Sequence, residues 1–158
     1  MVELSTGVKL KIRALSPFVI QKIKNRMEPE RPKVPTKFIQ EDNRTIEIPE
    51  DPEYQRALEA FADKRTEAVM DGAMLLGTEF ESAPEGFDSP SDNGWLRRLA
   101  VLGFDPPKSD EERYLQWVKY IAAPTASDIE IINEAVFKLI GVSEAEVAAA
   151  AASFRNRA

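Results

Sequence analysis

Apolar and polar residues alternate over the first thirteen positions. Val2, Leu4, Val8, Leu10 and Ile12 share one parity, while Glu3, Lys9, Lys11 and Arg13 take the other, with Ser5-Thr6-Gly7 between the two runs. A period of two around a turn predicts a β-hairpin over 2–13 with one buried face. The period then lengthens. Ser16-Pro17 reads as an N-cap followed by proline at the first helical position. Phe18, Val19, Ile23 and Met27 supply the apolar stripe of a short helix ending near Glu28. Lys22, Lys24 and Arg26 lie toward its C-terminal end, where cations suit the helix dipole. The longest periodic stretch runs from Asp51 to Gly77. Asp51 is placed to cap it, Tyr54, Leu58, Phe61, Ala68, Val69 and Leu76 recur at helical spacing, and Gly77 marks its end. Gly72 inside that helix costs up to about 1 kcal/mol relative to alanine. Close approach of a second helix would explain it; a kink is the alternative.

Between these helices the pattern breaks. Residues 28–52 hold Pro29, Pro32, Pro35, Pro49 and Pro52, so regular helix cannot persist. Residues 28–35 read as an extended connector. Lys37-Phe38-Ile39-Gln40 and Thr45-Ile46-Glu47-Ile48 flank a polar turn at 41–44, which predicts a second hairpin over 37–48. A lone two-stranded hairpin is marginal in water. It therefore either joins the first hairpin in one sheet or projects as a partner-binding arm.

Residues 78–92 read as an acidic loop, without the ligand spacing of a calcium-binding EF-hand. Short helices follow. Asp92 is placed to cap one carrying Trp95, Leu96, Leu99 and Leu102, stopped by Gly103 and Pro106-Pro107. A capping box from Ser109 to Glu112 opens the next, with Tyr114, Trp117, Val118 and Ile121 as its stripe and Pro124 beyond it. Ser127 to Glu130 repeats the box before Ile129, Ile132, Val136, Leu139 and Ile140, with Gly141 as the stop. Ser143 to Glu146 is a further box, ahead of an alanine run whose bulky members are Val147 and Phe154. The expected fold is α+β and predominantly α: N-terminal β-hairpins followed by a bundle of about five helices. The expected organisation is a single domain over 1–158, with a β-rich part and proline-rich arm over 1–50 and a helical part over 51–158.

Composition narrows the chemistry. The 158 residues include neither cysteine nor histidine. Disulfides, thiolate nucleophiles and the commonest zinc ligands are therefore absent, as is the usual general base near neutral pH. No phosphate-binding glycine motif or nucleophile elbow occurs. No catalytic, cofactor-binding or metal-binding residue is assigned, and the chain is expected not to be an enzyme. A carboxylate-dependent enzyme is the remaining catalytic alternative. The net charge of −6 and the scattered basic residues argue against nucleic acid. No apolar run reaches the roughly 20 residues that span a bilayer, and the N-terminus lacks the pattern of a secretory signal. The expected surroundings are aqueous cytoplasm, with no membrane partner. Candidate partner-contacting residues are Val34, Pro35, Phe38, Ile39, Ile46 and Ile48 on the arm, with Trp95 and Trp117. Core packing is the leading reading of the two tryptophans and an interface anchor the alternative, since tryptophan is enriched at binding hot spots. The projecting arm also makes a homo-oligomer plausible.

The order of elements resembles the tail assembly chaperone family of long-tailed bacteriophages. The resemblance is carried by the N-terminal hairpin with Leu15-Ser16-Pro17, by Pro32-Lys33-Val34-Pro35, and by the Asp51-Pro52-Glu53-Tyr54-Gln55-Arg56-Ala57-Leu58 opening of the long helix. It continues in Leu75-Leu76-Gly77 and in the segment from Arg113 to Ile121. It implies a protein of the host cytoplasm that binds the tape-measure protein, keeps its hydrophobic helices soluble and helps recruit tail-tube subunits. No binding residue carries over from it. A structural connector or tail-completion protein of the virion, or a helical adaptor unrelated to phages, fits the same features.

Overall fold

The computed structural model describes residues 1–27, 30–140 and 152. The fold is α+β and mostly helical. In chain order the elements are β1 (Val2–Glu3), β2 (Lys9–Ile12), α1 (Pro17–Met27), β3 (Thr36–Ile39), β4 (Arg44–Glu47), α2 (Pro52–Gly77), β5 (Thr78–Ser82), α3 (Gly94–Val101), α4 (Asp110–Trp117) and α5 (Ala126–Ile140). A π-helical turn, Val118–Ala122, continues α4. The expected helix after Ser143 lies outside the described residues.

The first hairpin forms as its alternation dictates. Val2 pairs with Leu10 and Glu3 with Lys9. Gly7, at φ 80°, takes the left-handed position that closes the turn. Leu4, Val8 and Leu10 are buried. Its sheet partner is not the second hairpin. Residues 78–82, expected as loop, form β5 and pair antiparallel with β2, giving the order β1-β2-β5. Two glutamates and a serine disguise this strand. The inward positions are Thr78, buried, and Phe80, whose ring packs edge-on against Trp117 with centroids 5.3 Å apart. The helix-to-strand junction has no turn. Thr78 is already extended (φ −129°, ψ 153°), and Gly77 is needed for another reason: a Cβ there would lie 2.7 Å from Val136 Cγ1 on α5.

α2 begins as expected, with the Asp51 carboxylate accepting from the Tyr54 N–H at 2.9 Å. Its burial is unequal along its length. The buried residues are Met70, Gly72, Ala73, Met74 and Gly77, all in the last third. Leu76, expected on the buried stripe, is 45% exposed. At Gly72 a Cβ would lie 2.6 Å from Ile23 Cγ2, so the glycine serves the close approach of α1. Among the described side chains of α1, Ile20 and Ile23 are buried, whereas Phe18, expected on the stripe, is 83% exposed.

The main core gathers Leu4, Val8, Leu10, Met70, Met74, Trp95, Trp117, Val118, Ile132 and Val136. Packing therefore does not divide at residue 50, because β1, β2 and the end of α2 share one core with α3, α4 and α5. Among the described residues no member of that core, full or partial, falls between Ser16 and Ala68. The chain leaves the core at α1, forms β3 and β4 as a separate two-stranded sheet, and returns along α2.

Capping differs in detail from expectation. The Asp92 carboxylate accepts from the Ser89 N–H at 2.7 Å rather than capping α3, whose N-cap, Asn93, makes no side-chain capping bond. The α5 box is Thr125 and Asp128, not Ser127 and Glu130. The Asp128 N–H donates to Thr125 Oγ1 at 3.2 Å, and the Thr125 N–H to Asp128 Oδ2 at 3.4 Å. Gly103 ends α3 as expected, at φ 87°, with Phe104 N–H to Leu99 O at 3.1 Å and Gly103 N–H to Ala100 O at 3.0 Å. These two bonds make a Schellman motif.

Candidate binding surfaces

The two indoles are structural. Trp95 and Trp117 are both 0% exposed, so neither offers the contact surface expected of an interface anchor. Their N–H groups hold the loop ahead of α3: Trp117 donates to Asp88 O at 2.9 Å and Trp95 to Ser89 O at 3.1 Å. Arg113 stiffens the same loop from α4. Its guanidinium donates to the carbonyls of Pro90, Ser91 and Asp92 at 2.8–2.9 Å, and it stands 5.8 Å from the Trp95 ring centroid. Sequence alone could not assign these roles, because each depends on which carbonyls the loop presents.

The fixed loop forms one wall of a groove. Leu75, Thr78, Glu79, Phe80, Pro90, Ser91 and Tyr114 line about 430 Å³. Residues 78, 79 and 80 all contribute, although their side chains alternate in direction, so the groove follows the edge of β5 rather than either face. The Thr78 hydroxyl donates to Met74 O at 2.6 Å and so accepts from the Tyr114 hydroxyl at 2.9 Å. Burial raises the Tyr114 phenol above its ordinary pKa, only partly offset by the bond to Thr78. The phenol is thus neutral and fixed.

A second groove of about 240 Å³ lies between the end of α3 and the turn that follows, lined by Leu96, Ala100, Phe104, Pro106, Pro107 and Gln116 among others. Beside it stands an apolar ridge. Val101 is 87% and Leu102 73% exposed, and Phe104 and Tyr120 are also open, their rings packed edge-on at 4.8 Å. The Schellman motif explains the placement, since it turns the chain outward just past the buried Leu99. Leu102, carried at helical spacing with Trp95, Leu96 and Leu99, lies on the ridge rather than with the buried Trp95 and Leu99.

The arm residues sit together as expected but unequally. The Ile48 N–H donates to Pro35 O at 2.8 Å and extends the β3–β4 ladder. Lys37 pairs with Ile46 and Ile39 with Arg44, so Pro35, Ile39, Ile46 and Ile48 share one face and are half-buried. Phe38, on the opposite face, is 55% exposed, and Val34 is half-buried. The turn spans Gln40–Asn43, one residue earlier than expected, because Asn43 adopts the left-handed conformation at φ 47°.

One ionic cluster lies outside these grooves. Lys119, on the π-helical turn, places its ammonium 3.0 Å from Asp71 Oδ1 and 3.6 Å from Glu67 on α2. Burial raises the Asp71 carboxyl, and the Lys119 charge offsets this only in part. For Lys119, burial alone would lower the pKa, but the Asp71 carboxylate carries it above the ordinary lysine value. Asp128 is a second polar anchor, 1% exposed. It accepts from the Ser5 N–H at 2.7 Å and hydroxyl at 2.6 Å, and from the Thr125 hydroxyl at 2.7 Å. Burial alone would raise its pKa; these bonds hold it below the ordinary carboxylate value. Among the described residues no group of acidic side chains is arranged to hold a metal ion, and no helix is long and apolar enough to cross a membrane.

No protein-family model, curated protein or solved structure matches this chain.

Proposed function

We propose that this protein is a tail assembly chaperone of a long-tailed bacteriophage, a binding protein that holds amphipathic helices of the tape-measure protein and assists tail-tube assembly in the host cytoplasm. The supporting observation is the ridge of Val101, Leu102, Phe104 and Tyr120 beside the groove at the end of α3. An amphipathic helix docks by laying an apolar face onto such a surface, and adjacent exposed apolar side chains of this size mark interaction sites. The net charge of −6 keeps a carrier of apolar segments soluble. A binding role also suits the ionic chemistry. Among the described residues, the carboxylates of Asp71 and Glu67 converge on Lys119, and they lie outside both grooves.

The test is co-expression of the tagged chain with the tape-measure protein encoded beside it, reading the client's soluble fraction and co-purification. The expected result is a soluble complex that Leu102→Asp and Val101→Asp abolish while the fold, followed by circular dichroism, is kept. An insoluble client, or a complex indifferent to both substitutions, overturns the reading. Recovery of the protein in purified particles would favour a structural virion component instead.

A further inference from the structure

We propose that two copies of this chain associate by strand addition, the free edge of β3 in one copy pairing with the free edge of β5 in the other. This goes beyond the client-binding role and does not depend on it.

Both edges follow from the ladders. In β5, the Arg13 N–H bonds Gly77 O at 2.8 Å, and Ile12 pairs with Thr78 and Lys11 with Glu79. Antiparallel pairs alternate between hydrogen-bonded and open. Pairs 13/77 and 11/79 are therefore the bonded ones, and the main-chain N–H and C=O of Phe80 point away from β2 into the groove. In β3, the bonded pair at Pro35 and Ile48 sets the same alternation. Lys37 and Ile39 bond to β4, and the main-chain groups of Phe38 point outward. An unpaired strand edge is a template for another strand.

The side chains then select a register. Setting Phe38 opposite Phe80, antiparallel, exchanges both main-chain bonds. It puts the exposed Phe38 ring on the groove face, with Leu75, Pro90 and Tyr114. Lys37 then falls opposite Glu81, the residue that the bulge in the β2–β5 ladder leaves without a partner on β2. Both are exposed, and neither has an ion-pair partner among the described residues. The basic groups nearest the groove are already engaged, Arg13 with Glu79 and Arg113 with loop carbonyls. Glu81 thus leaves uncompensated negative charge on β5, and β3 presents Lys37 beside Phe38. Because each copy carries both edges, a two-fold pair makes the contact twice and closes.

The experiment is sedimentation velocity of the full chain across concentration. Lys37→Glu and Glu81→Lys both lie at exposed positions, and each is predicted to weaken the dimer about tenfold or more. Mixing the two variants is predicted to restore it, since in the mixed pair every contact again joins opposite charges. As a second readout, Lys37→Cys and Glu81→Cys variants, in a chain with no other cysteine, are predicted to form a disulfide-linked heterodimer when mixed and oxidised. A wild-type chain that stays monomeric at all concentrations overturns the proposal. So does a dimer that neither charge reversal weakens, or one that mixing fails to restore.

Discussion

The two parts of this molecule are built from similar residues and held in different ways. One part, β1, β2, β5, the end of α2 and α3–α5, encloses both tryptophans and crosses its own sequence repeatedly: Ser5 meets Asp128, Thr6 meets Ala122, and Gly77 meets Val136. The other, from α1 through the β3–β4 hairpin to the start of α2, is a long excursion. It attaches where α1 meets Gly72, which buries Ile20 and Ile23, and its other described apolar side chains stay half-covered or open. Both parts have hydrophobic stripes and well-formed turns. The difference is whether a second layer closes over the stripe. Burial stabilises by roughly 25 cal/mol per Å² of apolar surface removed from water, so the first part carries most of the stability and the second is free to carry contacts.

Substitutions that separate the parts should differ most in the core. Trp117→Ala is predicted to destabilise by about 3–5 kcal/mol, from lost volume and a stranded Asp88 carbonyl. Urea unfolding would measure it, and a loss under 1 kcal/mol would deny that Trp117 is central. Asp128→Ala is predicted to cost about 2–3 kcal/mol, since it strands the Ser5 N–H and hydroxyl. Its pH signature is distinct. The folded pKa lies below the ordinary 3.8, so the carboxylate's stabilisation is present above that value and is lost as pH falls through the folded value. Acid unfolding of Asp128→Asn should lose that part of the slope; an unchanged acid limb would break the assignment.

The glycines probe the seam. Gly77→Ala forces a Cβ onto Val136, held inside the core, and is predicted to cost about 1–3 kcal/mol in thermal or urea unfolding. Gly72→Ala forces a Cβ onto Ile23, but α1 lies at the margin and can retreat. Helix propensity returns up to about 1 kcal/mol, so the net change should be near zero while amide exchange in α1 accelerates. Equal losses at the two glycines would erase the distinction between the parts. The smallest effect is expected at the arm: Phe38→Ala should change monomer stability by less than about 0.5 kcal/mol. A larger loss would show that the arm belongs to the core.

Much of this was legible in the chain. The hairpin at 2–13, the Pro17 and Asp51 starts, the Gly103 stop and the α+β class all follow from local period and capping, which depend on near neighbours in sequence. The strand at 78–82 was not legible. Thr-Glu-Phe-Glu-Ser reads as polar, and only the free edge of β2 gives its backbone a partner. The S-x-x-E pattern at Ser127 is a local signal and predicts the α5 cap there. The structure chose Thr125 and Asp128, since Asp128 must also reach Ser5, more than a hundred residues away. The β5 groove has no local sequence signal, because its walls come from α2, β5, the 90–91 loop and α4.

The sequence by itself determined the first hairpin, the starts of α1 and α2 and the Gly103 stop, and it excluded cysteine- and histidine-based chemistry. Tertiary structure decided which stripes are covered. For Trp95 and Trp117 the core is the leading expectation and a surface anchor the alternative; packing makes them core, with the 88–89 carbonyls receiving their indole N–H groups as the loop closes over them. Leu102 and Phe38 could equally have been core and were left outside, because a Schellman turn and an isolated two-stranded sheet carry them away from any second layer. Periodicity says which side of an element is apolar. Only the packing of distant elements says whether that side meets protein or water.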